Sequence, residues 1–166
     1  ITELMDSKVV AAEDIKGIGV TGQGEGCWLI DKEGKPLQNA ILWCDGRAVA
    51  EVHKITEEHP EIGKFYHRTT GTPPLLGNQM MLLRWMKSHR KDVLDKGYKI
   101  LFCKDWIRYN LTGEIGTEIT DSFTSLIDAQ TGKIAEDLMK ELDIFEYRDY
   151  LPDPVDSDEV VGTILD

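Results

Sequence analysis

Hydrophobic and polar positions divide the chain into alternating helical and extended stretches. Leu4, Met5, Val9 and Val10 recur at helical spacing and predict a helix over 1–14. Ile18 and Val20 alternate with Gly17 and Gly19, which predicts a strand over 15–21. A glycine-rich turn, 22–26, leads to a second strand over 27–31. Lys32-Glu33-Gly34-Lys35 has the composition of a hairpin turn, and a third strand is expected over 40–44. From 47 to 59 the period becomes helical, with Ala48, Val52 and Ile55 on one face and Lys54, Glu57 and Glu58 opposite, until Pro60 stops it.

A short helix is expected over 61–67, then a loop over 70–74. Asn78 is placed to cap a helix over 79–88 that turns Met80, Leu83 and Met86 inward. Residues 98–103 predict a buried strand. Residues 104–111 predict a helix closed by Thr112-Gly113. Residues 120–128 read as a short helix or turn and then a strand, and 134–142 as an amphipathic helix. Pro152 and Pro154 introduce an extended terminal segment over 160–165. No repeat or low-complexity run interrupts this order, so the fold class is α/β, in one domain over 1–166.

Charge narrows the partners. The 166 residues carry 30 Asp+Glu against 19 Lys+Arg, a formal net charge of −11. Such a surface repels nucleic-acid phosphates and anionic membrane, while 41% hydrophobic residues are too many for an acidic disordered tail. No apolar run is long enough to span a bilayer. Cys27, Cys44 and Cys103 are sparse and form no Cys-x-x-Cys pair, as expected of reduced thiols in the cytoplasm. The first residues, ITELMDSKVV, hold neither an initiator Met nor a secretory leader, and are expected to continue from a longer chain.

Several familiar patterns fail on chemistry. Gly17 to Gly22 matches G-x-G-x-x-G, but the next element is a strand, leaving no helix N-terminus for a pyrophosphate. Gly71 to Gly77 lacks the Gly-Lys-Ser/Thr ending of a phosphate loop and contains two prolines without backbone donors. His53, His59, His67 and His89 show no zinc spacing and read as solvated helix-face residues. Asn110-Leu111-Thr112 matches a glycosylation sequon, a match expected to be chance because no secretory leader is expected.

Two clusters carry more. Gln23-Gly24-Glu25-Gly26 places an amide and a carboxylate at a strand's carboxyl end, between glycines that let a ligand approach the backbone. The same residues also suit a polar hairpin turn. Trp43-Cys44-Asp45-Gly46-Arg47 lies where a strand meets a helix. Its indole is a platform for the C–H groups of a polyol, and Asp45 either binds a hydroxyl, caps the helix or pairs with Arg47. Lys104-Asp105-Trp106 places Asp105 at a helix start, where the dipole favours it, and Thr120-Asp121 reads as another cap.

Taken in order, IKGIGVTGQGEGCWLIDKEGKPLQNAILWCDGRA, a Thr-Gly followed by LLRWMK, KDWIRYNLTGE, a Thr-Asp pair and LPDPVDSDEVVGTI resemble the FGGY family of carbohydrate kinases over essentially the whole chain. The resemblance implies a ribonuclease H-like fold of the actin and hexokinase type, and an incomplete N-terminal, sugar-binding domain. It implies a cytoplasmic kinase that uses ATP and Mg2+ to phosphorylate a terminal hydroxyl of a small sugar or polyol. By the same resemblance Gln23, Gly24 and Glu25 contact substrate, Trp43 lines the polyol site, Asp45 organises the strand end with Arg47, and Gly77 and Asn78 wall the pocket.

The resemblance also places the phosphate-binding strand upstream, and the catalytic base and nucleotide domain downstream. No catalytic residue, bound ATP or metal ligand is therefore expected within these residues, and no kinase activity from them alone. A homodimer is compatible with it. Leu82 stands where relatives carry lysine, Gln79 where Ser, Thr or Pro is usual, and Gly24 where methionine or arginine is usual. The Gly-Gln-Gly-acid-Gly form is closest to erythritol-type and L-xylulose-type kinases, pointing to a four- or five-carbon polyol or ketose. A non-catalytic sugar-binding or interaction module with a degenerate kinase fold is the alternative, and a nicotinamide enzyme built on 17–22 a weaker third.

Overall fold

The computed structural model describes residues 2–165, a mixed α/β arrangement around one hydrophobic core. Its centre is helix α4, Gln79–His89, which buries Gln79 through Leu83 and Met86 almost all round. A helix apolar on most faces must be covered on most faces. Strand β1, Trp28–Ile30, pairs antiparallel with β2, Lys99–Leu101, in the register Leu29 opposite Ile100. Cys27 on the β1 side touches Met86 of α4, sulfur to sulfur at 4.0 Å. Helix α2, Val49–His53, enters from a 3-10 turn over Gly46–Ala48 and continues into a π-helical turn over Lys54–Glu58. Ala48 and Ile55 of this segment are fully buried, as their spacing predicts.

Pro60 does more than stop the preceding segment. It occupies the first turn of α3, Pro60–Thr70, where a missing N–H costs nothing, and Gly71 at φ 77° closes that helix in the left-handed region. Helix α5, Lys91–Leu94, is a short turn before β2. Helix α6, Cys103–Thr112, ends on Gly113 at φ 76°. Strand β3, Thr117–Glu118, leads directly into α7, Ile119–Ser125, and pairs in parallel with β4, Pro154–Val155. Pro154 is tolerated on this two-residue edge. Helix α8, Glu136–Glu141, follows a single bridge between Ile127 and Ile134, and a 3-10 segment covers Phe145–Tyr150.

The sequence expectations fail where a strand needs a neighbour. Residues 15–21 carry the alternation of a strand but pair with no described strand, and Ile18 is 47% exposed. The terminal segment 160–165 likewise pairs with no described strand. The expected strand over 40–44 shrinks to one bridge, Ile41 to Cys27, before the chain turns at Trp43. The expected helix over 1–14 is only α1, Thr2–Asp6, and a 3-10 turn over Ala12–Asp14, interrupted where Lys8 takes φ 55°. Its Ile1 lies outside the described residues. Asn78 stands at the N-cap of α4, but its side chain caps nothing there. It accepts from Leu75 N and donates elsewhere, because a carboxylate from another segment takes over the helix end.

Candidate functional site

The turn at 23–26 is fixed by backbone contacts that only glycine allows. Gly26 has φ 91°, and a Cβ there would stand 2.6 Å from the Ile41 carbonyl oxygen. Its N–H donates to Gly77 O at 3.0 Å. Gly77 is pressed on the main chain of Trp43, so that a Cβ would fall 2.1 Å from the Trp43 carbonyl oxygen. These contacts draw the 23–26 turn, Trp43 and the 77–78 loop together. The indole of Trp43 remains 56% exposed, a free apolar face at the edge of the cluster.

Glu25 organises the interior side. It adopts φ 60°, uncommon for a residue with a Cβ, and turns its carboxylate inward. Oε1 accepts from Asn78 Nδ2 at 2.8 Å, and Oε2 from Gln79 N at 3.1 Å and Ser125 Oγ at 3.0 Å. The Gln79 bond caps α4 from a distant segment, with negative charge at the positive end of the helix. Burial raises the carboxyl pKa above its ordinary value, and the donors from Thr124, Ser125, Asn78 and Gln79 oppose that rise. Gln79 completes the bracing, with Nε2 donating to Gly26 O at 3.1 Å and Leu101 O at 3.3 Å.

Asp45 does its work at the start of α2. It accepts from Arg47 N at 2.9 Å and holds the guanidinium through Nε and Nη2, both at 2.8 Å. The bidentate pair lowers the Asp45 pKa, and Arg47 stacks over the Trp85 ring at 4.9 Å. Of the roles open to Asp45, capping and pairing are the ones its contacts fill. Its carboxylate is occupied by Arg47 rather than joined to the partners of the 23–26 turn.

A second polar cluster lies beneath the turn. A Cβ at Gly22 would stand 3.2 Å from Cys103 Sγ, and one at Gly24 would stand 3.3 Å from Asp121 Oδ1, so the turn crosses the first turns of α6 and α7. Lys104 of α6 pairs with Glu118 and, at 3.1 Å, with Asp121. Glu118 caps α7 by accepting from Thr120 N at 2.8 Å and Asp121 N at 2.9 Å. The cap expected at Thr120-Asp121 is therefore Glu118. The Lys104 pair and these donors hold the Glu118 carboxyl well below the carboxylate range against the effect of burial. Asp105 accepts from Phe102 N at 3.3 Å, the helix-start role its position predicts.

The sequence-predicted residues thus gather unequally. Glu25, Gly77, Asn78 and the backbone of Trp43 form one contact set, Gly24 lies against Asp121, and Asp45 belongs to the α2 entrance. Gln23 is half-buried, and its Nε2 has no hydrogen-bond partner among the described residues. Gln79, Ser125, Asp121 and Lys104 join the site without having been singled out for it. Thr120-Asp121 and Lys104-Asp105 were visible as polar pairs, but nothing in a linear sequence says that α6 and α7 run beneath residues 22–24. Leu82 is fully buried, so an apolar residue suits its place in α4.

A groove of about 290 Å³ borders the Lys104 and Glu118 cluster, between residues 18–20, α6 and the 155–161 segment, and a second of about 610 Å³ lies between residues 15–20, α6 and the 157–164 segment. Among the described residues no group of three His, Cys, Asp or Glu side chains could hold a metal ion. Nor is any helix there long and apolar enough to cross a membrane.

Comparison with known proteins places this geometry. The chain is 36% identical over 166 residues to the L-xylulose/3-keto-L-gulonate kinase of Escherichia coli K12, covering 99% of this chain and 33% of that protein. It is 32% identical over 166 residues to the xylulose kinase of Bacillus subtilis strain 168, with 99% and 32% covered. The crystal structure of xylulose kinase from Rhodospirillum rubrum superposes with a TM-score of 0.84 at 25% identity, covering 98% of this chain and 33% of that one. The chain therefore spans about a third of the length of these relatives. Its fold is that of the actin- and hexokinase-type ATPases, to which such kinases belong. With the family model for the N-terminal domain matching residues 1–166 throughout, the chain belongs to the FGGY family of carbohydrate kinases.

Proposed function

We propose that these residues form the sugar-binding part of an ATP-dependent kinase that phosphorylates a terminal hydroxyl of a small sugar or polyol, a pentulose or a tetritol or pentitol. The observation that carries this reading is the contact of Gly77 with the Trp43 main chain, which sets an exposed indole beside the 23–26 turn. An apolar face next to backbone and side-chain polar groups suits a polyol, whose C–H side packs on a ring while its hydroxyls exchange hydrogen bonds. The relatives named for xylulose and L-xylulose support a five-carbon ketose.

In this reading Gln23, Gly24 and Trp43 face the substrate, and Glu25, Gly77 and Asn78 hold the wall behind them. ATP and Mg2+ are engaged by other parts of the full-length protein. No step of phosphoryl transfer is assigned to residues 1–166. Residues 1–166 alone are accordingly expected to be inactive. The test is phosphorylation by the full-length protein of a panel of four- and five-carbon polyols and ketoses, with ATP and Mg2+. Turnover of a panel member supports the kinase. Sugar binding with no turnover of any member would favour the non-catalytic module.

A further inference from the structure

We propose that Ser125 is a positioning residue for sugar binding, acting through Glu25 to hold the 23–26 turn in the shape that meets substrate; the inference rests on the kinase reading above. Ser125 Oγ donates to Glu25 Oε2 at 3.0 Å, joining α7 to a turn 100 residues earlier in the chain. Glu25 stands at φ 60°, in the left-handed region that a residue with a Cβ avoids. Such a conformation persists only where the surroundings fix it from several sides. Here the carboxylate is what they grip. Asn78 Nδ2 and Gln79 N hold it from the start of α4, and Ser125 holds it from α7.

Burial gives the Ser125 bond its weight. Ser125, Asn78 and Gln79 are all buried, so water does not readily replace a donor lost among them. A hydroxyl bound to a carboxylate in such surroundings is also stronger than the same pair in water. The far end of the link is fixed as well. Thr72 Oγ1, in the loop after α3, donates to Thr124 O at 2.6 Å and ties down the residue next to Ser125. Gln23 and Gly24, which face the substrate in the kinase reading, immediately precede Glu25, so a backbone loosened at 25 displaces both. Ser122, three residues earlier on α7, is equally buried, but its Oγ donates to Glu118 O at 2.9 Å, a bond that stays within the start of the helix. The two serines thus share an element and an environment and differ in whether they reach the turn.

The experiment compares the full-length wild-type kinase with Ser125→Ala, Ser125→Cys and Ser122→Ala, by steady-state kinetics on the best substrate of the panel and on ATP, and by urea unfolding. Ser125→Ala is expected to raise the sugar KM about 10-fold, with kcat and the ATP KM within about 2-fold of wild type. Ser125→Cys keeps a weak donor at similar size, so it should raise the sugar KM less, and it carries the test where the alanine variant does not fold. Ser122→Ala should lower the unfolding midpoint comparably and leave the sugar KM unchanged. A serine that only stabilises α7 would move the two alanine variants alike. An unchanged sugar KM in the Ser125 variants, equal rises in Ser125→Ala and Ser122→Ala, or a loss confined to kcat or the ATP KM would overturn the inference while leaving the kinase standing. A wild-type enzyme that turns over no panel member overturns the kinase reading and this inference with it.

Discussion

The Glu25 carboxylate accepts from the Asn78 side-chain amide at 2.8 Å, joining segments 53 residues apart. The same carboxylate holds Gln79 N and Ser125 Oγ. Glu25→Ala strips buried donors of their acceptor and is expected to destabilise the chain by about 2–4 kcal/mol in urea unfolding. Glu25→Gln keeps one oxygen but turns an NH2 toward donors, so it should fall between Ala and wild type. An alanine variant as stable as wild type would show that the network braces nothing.

The contact of Gly77 with Trp43 gives a second prediction. A methyl group on Gly77 meets backbone, which cannot swing aside as a side chain can, at 2.1 Å from a carbonyl oxygen. Gly77→Ala should destabilise by about 3 kcal/mol through forced displacement of the 43 or 77 segment. Gly17→Ala, with nothing within 4 Å of the added Cβ, should leave the unfolding midpoint nearly unchanged. Similar losses at both positions would mean that the turn cluster is not tightly packed.

What the sequence reveals follows from which interactions are local. The α4 helix is legible because its apolar positions recur along one element, and α6 because Thr112-Gly113 supplies a closing glycine. The strand at 15–21 is not, because alternation describes a willing strand and a ladder needs a partner. Asn78 was legible as a boundary but not in its role, since the real cap arrives from Glu25, far along the chain. Gly24 and Glu25 were legible as a ligand-friendly turn. That Asp121 lies under that turn depends on the packing of α7, which no local pattern encodes.

Trp43 separates binding from folding. At 56% exposure Trp43 still buries part of a large side chain, so Trp43→Ala should cost up to about 2 kcal/mol of stability without unfolding the chain. As a platform for the carbon chain, its loss should weaken substrate binding by about 1–3 kcal/mol, seen as a raised sugar KM with KM for ATP unchanged in the full-length kinase. An unchanged sugar KM would remove the indole from the site.

Asp105 makes stability depend on pH in a defined direction. It is 2% exposed, and burial pushes its carboxyl up to about 6, with the Thr117 hydroxyl, Phe102 N and Arg108 opposing the rise and Asp121 adding to it. The folded pKa exceeds the unfolded one, so the folded state holds a proton that the unfolded chain has released between about pH 4 and 6. Its stabilising contribution is full below about pH 4 and is lost as pH rises through about 6. At roughly 1.4 kcal/mol per unit over about two units, that amounts to about 3 kcal/mol. Glu118, with its depressed pKa, acts oppositely and loses its contribution as pH falls. The informative quantity is therefore the difference between wild type and Asp105→Asn, which cancels the groups they share. Urea unfolding at pH 4 and pH 7 should show wild type losing about 3 kcal/mol relative to the variant at the higher pH. Parallel pH profiles would mean that Asp105 titrates in the folded protein as an exposed carboxylate does.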